Sequence, residues 1–91
     1  MTRRCVIHGR GVCNLADLYE TLSRQLGFPD HFGANLDALY DVLTGDVPGP
    51  IEIVWRDHGT SAAMLGADYG RVLAVLRDAA AARGDLTLVF D

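Results

Sequence analysis

IEIVWRDHGTSAAMLGADYGRVLAVLRDAAAARGDLTLVF, residues 51–90, begins and ends on strand-like runs with a helical pattern between them. IEIVW at 51–55 alternates and is rich in β-branched residues, which suits a pleated, half-buried surface. LTLVF at 86–90 has the same character. From Asp68 onward, Tyr69, Val72, Leu73, Leu76 and Ala80 line one side of a helix that runs to Arg83, and Gly84 stops it. The intervening RDHGTSAAMLGAD is polar and Gly-rich and predicts a single helical turn around Ala62–Leu65. Two strands joined by a helical crossover must pair in parallel if they are neighbours.

Working back toward the N-terminus, PGP at 48–50 marks a turn. Leu36, Leu39 and Leu43 give the apolar stripe of a short helix, with Asn35 as its N-cap and Gly45 as its end. FPDHFG at 28–33 is a loop. Leu15, Leu18, Leu22 and Leu26 form another stripe, capped by Asn14 and stopped by Gly27. CVIHG at 5–9 reads as a first strand. Strands alternating with helices predict one α/β domain over residues 1–91, with a small three-stranded parallel sheet packed with helices.

The chain is 49% hydrophobic, enough for one compact core without covalent staples. It carries 12 acidic residues against 8 basic ones, a net charge of −4, and every base is a scattered Arg. Phosphate recognition wants clustered positive charge, so nucleic acid is not an expected partner. Cys5 and Cys13 match no zinc spacing and are expected to be reduced, buried small side chains. MTRRCVIHGRG lacks the apolar stretch of a signal peptide, and no run approaches the ~20 residues of a membrane span. A cytoplasmic location, no membrane partner and no cofactor are expected.

The unusual feature is where the acid sits. No Lys or Arg lies between Arg24 and Arg56, while Asp30, Asp37, Asp41, Asp46 and Glu52 all do. Asp37 and Asp41 share a helical face, where like charges cost about 0.2–0.5 kcal/mol. Asp37, in the first turn, suits the helix dipole; Asp41, near the last, opposes it, and Asp78 is similarly misplaced on the later helix. Solvated surface acids are the plain alternative. Otherwise three kinds of site compete. A carboxylate pair for acid–base chemistry would need an enclosed cleft that so small a domain has little volume to build. A metal site would need more oxygen donors than D-x-x-x-D provides. A protein-binding face would combine the acids with rigid rings, and Phe32 and Tyr40 interleave them beside His31, unless those rings are simply core.

GANLDALYDVLTG at 33–45 resembles the GxNLDALxDxLTG run of the barstar family, intracellular inhibitors of the bacterial ribonuclease barnase. The resemblance continues in VIHG at 6–9, NLADLYETLSRQLGFP at 14–29, IEIVWR at 51–56 and VLAVLRDAAAARGDLTLVF at 72–90. It implies a three-stranded parallel sheet with helices, and a non-enzymatic protein that plugs the active site of a small basic, secreted microbial ribonuclease, as a monomer forming a 1:1 complex. An immunity protein or antitoxin against another toxin, such as a ribonuclease domain of a larger secreted protein, is the alternative.

Carried over by position, the resemblance implies that Asp41 mimics the substrate phosphate and that Asp37 meets a second basic residue at the rim. Gly33 and Asn35 match backbone-contact positions, and Asp78 matches an acidic position on the neighbouring helix. Phe32, Ala38, Thr44 and Gly45 complete the implied surface. His31 and Tyr40 stand where barstar has Tyr and Trp, and Asp46 stands where it has a further Trp. These departures bear on which ribonuclease is bound. A protonated His31 facing a basic surface would oppose binding, so acidification is expected to weaken the complex.

Overall fold

A computed structural model describes residues 2–91. In chain order it has β1 (Arg3–His8), a 3-10 turn (Gly9–Gly11), α1 (Leu15–Leu26), α2 (Leu36–Gly45), β2 (Ile51–Arg56), α3 (His58–Leu65), α4 (Ala67–Arg83) and β3 (Leu86–Phe90). The sheet order is β1-β2-β3 and both pairings are parallel, so this is the expected α/β architecture.

The register explains the core. Cys5 pairs with Ile53, which pairs with Leu88, and Ile7 lies level with Trp55 and Phe90. One sheet face therefore presents Cys5, Ile7, Ile51, Ile53, Trp55 and Leu86, all buried. Leu18, Leu22 and Leu26 of α1, Leu39 and Leu43 of α2, and Val72, Leu76 and Ala79 of α4 join that core. Side chains alternate across a strand, so the other face carries Arg4, Glu52 and Thr87 in one row and Val6, Val54 and Val89 in the next.

Local signals set the helix ends. Asn14 accepts a hydrogen bond from the Asp17 amide at 2.9 Å, and Asp17 Oδ2 accepts one from the Cys13 amide at 3.0 Å. This reciprocal cap satisfies two amides at the start of α1. Gly27 and Gly84 end α1 and α4 in the left-handed region, at φ 70° and 75°.

Four local expectations change. β1 starts at Arg3 rather than Cys5 and ends at His8, because Arg3 and Arg4 continue the pairing with Ile51 and Glu52. α3 is an eight-residue helix rather than one turn. Its buried residues are Ser61 and Leu65, and the Ser61 hydroxyl makes burial possible by accepting from Trp55 Nε1 at 2.9 Å and donating to the Gly9 carbonyl at 3.1 Å. On α4 the innermost residues are Val72, Leu76 and Ala79, while Leu73 is half-buried. Cys5 is buried, but Cys13 is exposed, since its amide belongs to the α1 cap and its side chain precedes the helix.

Candidate functional site

α2 carries half of the candidate residues, Asn35 and Asp46 cap it, and its sequence divides it into two sides. Leu39, Val42 and Leu43 are buried, while Asp37 and Asp41 are exposed. Asn35 starts the helix by accepting from the Ala38 amide at 2.8 Å. The Asp46 and Val47 amides end it, both donating to the Val42 carbonyl at 3.0 and 3.1 Å. A short helix held at both ends on a packed face presents its outward carboxylates from a rigid support.

The preceding loop is held from beneath. Phe32 is half-buried and meets Phe28 and Tyr19 edge-on, with ring centroids 4.9 and 5.7 Å apart. Much of that ring is therefore an anchor for the loop. His31, Gly33 and Asn35 stay exposed around it. Ala34 adopts φ 49°, a left-handed conformation that side chains rarely take, directly between Gly33 and the Asn35 cap. An open groove of about 680 Å³ lies between this loop and α1, lined by Leu15, Tyr19, Glu20, Phe32 and Leu36 among others. Asp37 and Asp41 do not line it.

Tyr40 and Ala38 are half-buried, with Tyr40 packed against the core. The Thr44 hydroxyl donates to the Tyr40 carbonyl at 2.8 Å, which fixes its rotamer. Gly45 and Asp46 are exposed at the end of the helix. Asp78 is exposed on α4, the helix that packs against α2. The α2 residues and the 31–35 loop thus form one continuous stretch, with Asp78 on the adjoining helix.

Among the described residues, none of Asp30, Asp37, Asp41, Asp46 and Asp78 takes part in an ion pair. Glu52 does not belong with them. The parallel register sets Arg4 opposite Glu52, and the two side chains meet at 3.0 Å. Among the described residues, five of the seven acids outside ion pairs therefore lie on α2, its flanking loops and α4, the others being Asp17, which accepts from the Cys13 amide in the α1 cap, and the terminal Asp91. Both carboxylates of the D-x-x-x-D pair are open to solvent and neither lines the groove, so they share no enclosed cleft.

One contributor was not visible from sequence spacing. Arg83, at the end of α4, donates through Nη1 to the carbonyls of Leu43 and Val47 at 2.6 and 2.7 Å. Its Nε and Nη2 reach the two carboxylate oxygens of Asp85 at 2.5 and 3.2 Å. Only 14% of its side chain is exposed. α2 has no basic residue in its last turn, and Arg83 supplies the missing positive charge from another helix. The Arg83 hydrogen bond holds the Asp85 carboxyl below its ordinary range.

A family model described as "Barstar (barnase inhibitor)" matches residues 2–91. The chain belongs to the barstar family. A Bacillus subtilis (strain 168) protein named "Putative ribonuclease inhibitor YrdF" is 40% identical over 77 residues, covering 85% of this chain and 85% of that protein. Barstar-family membership makes this chain a ribonuclease inhibitor and not an enzyme. The barstar-like run at 33–45 coincides with the end of the loop before α2 and the whole of α2, where the unpaired acids concentrate. Among the described residues no helix is long and apolar enough to cross a membrane.

Proposed function

We propose that this protein inhibits a small, secreted, guanyl-preferring microbial ribonuclease of the barnase kind by seating α2 and the 31–35 loop in its active site. The observation that carries this reading is the set of exposed, unpaired carboxylates on a helix capped at both ends. Asp41 stands in for the substrate phosphate and receives charge-assisted hydrogen bonds from the enzyme's basic groups. Asp37 meets a second cation at the rim. Gly33 and Asn35 bring backbone close to the enzyme, and Phe32, Ala38 and Tyr40 supply apolar area. His31, Thr44, Gly45 and Asp46 border the contact, and Asp78 adds charge from α4. The complex is 1:1, formed by a monomer in the cytoplasm, where it protects the cell's own RNA.

Electrostatics favours this assignment over acid–base or metal chemistry. Exposed like charges on one helix face repel in the free protein and attract a basic surface at a distance, which speeds association. An immunity role against a ribonuclease domain of a larger toxin is the second reading. It is favoured by His31, Tyr40 and Asp46, which replace a Tyr and two Trp of the barstar pattern at the contact with an imidazole, a smaller phenol ring and a carboxylate.

A ribonuclease assay tests the proposal. Barnase is titrated with the protein and with Asp41→Ala. Stoichiometric inhibition should weaken by about 2–5 kcal/mol in the variant, the typical cost of stranding a buried charge partner. Equal inhibition by both proteins removes Asp41 from the active site. No inhibition of barnase moves the assignment to a toxin ribonuclease domain.

A further inference from the structure

α2 ends on a run of negative groups. Its last carbonyls carry the negative end of the helix dipole, Asp41 lies in the last turn, and Asp46 follows it. A Lys or Arg within that turn would relieve the strain, but it would also lie beside the acids and neutralise them. The chain places its cation elsewhere. Arg83 approaches from α4 and binds the backbone at Leu43 and Val47, on either side of Thr44, Gly45 and Asp46. It forms ion pairs with neither Asp41 nor Asp46.

Four of the five guanidinium N–H groups are engaged, two by the α2 end and two by Asp85. Asp85 directly precedes β3, and its carbonyl accepts from the Ile51 amide at 2.9 Å. The guanidinium is thereby referred to the sheet. The turn after α2 closes over the same pair: a Cβ at Gly49 would collide with the Asp85 carboxylate and lie 2.5 Å from Arg83 Nη2.

We propose that Arg83, oriented by Asp85, is a positioning residue for ribonuclease binding: it clamps the C-terminal end of α2 so that Thr44, Gly45 and Asp46 are presented in their bound arrangement while Asp41 and Asp46 stay free for the partner. The inference rests on the proposed use of α2 as the contact surface. A residue acting this way affects how long the complex lasts. Association is steered by exposed acids that Arg83 does not touch, so its rate is insensitive to the clamp. A residue needed only for stability behaves differently. Its loss reduces the folded fraction, which lowers the apparent association rate and leaves dissociation unchanged.

Stopped-flow association and dissociation with barnase separates these roles, using the unsubstituted protein, Arg83→Gln, Arg83→Lys and Asp85→Asn. Urea unfolding identifies conditions where each is folded. Arg83→Gln should raise the dissociation rate by about fivefold or more and leave association within about twofold, the pattern expected when contacts change and steering does not. Arg83→Lys keeps the charge and loses the planar fork, so it should recover part of the lifetime. Asp85→Asn should shorten it less than Arg83→Gln. If Arg83→Gln does not fold, the Lys and Asn variants carry the comparison. Folded variants that all dissociate at the unsubstituted rate overturn the clamp and leave the contact surface standing. No complex of the unsubstituted protein with barnase overturns the barnase-type reading of the surface, and with it the clamp for that partner.

Discussion

Gln25 closes the outer edge of β1 through Val6. Its side-chain Oε1 accepts from the Val6 amide at 2.8 Å and its Nε2 donates to the Val6 carbonyl at 2.9 Å. A side-chain amide here takes the place of a further strand, and an edge so occupied is a poor template for another chain. Gln25→Ala should cost about 1–2 kcal/mol, the net worth of two hydrogen bonds, in urea unfolding. It should also raise self-association at high concentration, read by light scattering. Gln25→Glu keeps an acceptor, loses the donor, and should not restore stability.

The buried relay from Trp55 through Ser61 to Gly9 makes a second prediction. Ser61→Ala removes a hydroxyl that serves an indole N–H at 2.9 Å and a carbonyl at 3.1 Å, all inside the core. Stranding buried polar groups costs about 1–3 kcal/mol each way the partner is lost. Trp55 is the chain's single tryptophan, so its fluorescence follows the unfolding directly.

Acid should test the Arg83–Asp85 pair. Hydrogen bonding to Arg83 lowers the Asp85 pKa in the folded state relative to the unfolded chain. The folded state therefore binds fewer protons at this site, and the stabilisation is present at neutral pH. It is lost as pH falls below about 4, through the depressed folded value. Melting temperature measured from pH 5 down to pH 2 should fall less steeply in Asp85→Asn than in the unsubstituted protein. Parallel curves would show that the pair contributes nothing to acid sensitivity.

The two thiols should separate chemically. Burial pushes the Cys5 thiol up to about 11, with Arg24 pulling weakly the other way, so at neutral pH it is a protonated core side chain. Cys13 is exposed ahead of α1. A thiol reagent at neutral pH should add one label to the native protein, at Cys13, and two in denaturant. Mass spectrometry of the labelled peptides identifies the site.

Legibility in the sequence follows the range of the cause. α1 matches its expected span residue for residue, and α2 starts at its Asn35 cap but runs on through Gly45 to a cap at Asp46, because Asn14, Gly27 and Asn35 act on neighbours within one turn. The parallel sheet was legible because strand runs and a crossover leave few alternatives. α3 was under-read because Gly59 and the buried polar Ser61 disguise its inward side. Glu52 looked unneutralised because Arg4 is distant in sequence and adjacent only through the strand register. Arg83 meets Leu43 and Val47 across 40 and 36 positions, a relation no local pattern encodes. The absence of a basic residue in the last turn of α2 was the one available hint. The left-handed Ala34 had none, since alanine does not advertise a positive φ.

The division of α2 into a buried side and an open side has an evolutionary reading. Leu39, Val42 and Leu43 answer to folding, whereas positions 37 and 41 are exposed and, in the proposed function, answer to whatever lies across the contact. Mutations on the open side escape the packing penalty that polices the core, so the two can change at different speeds. A lineage facing a new enemy enzyme can rewrite its recognition surface within one helix and keep the same scaffold. For an engineer, the helix is a replaceable cassette: a library at the outward positions samples targets without spending stability.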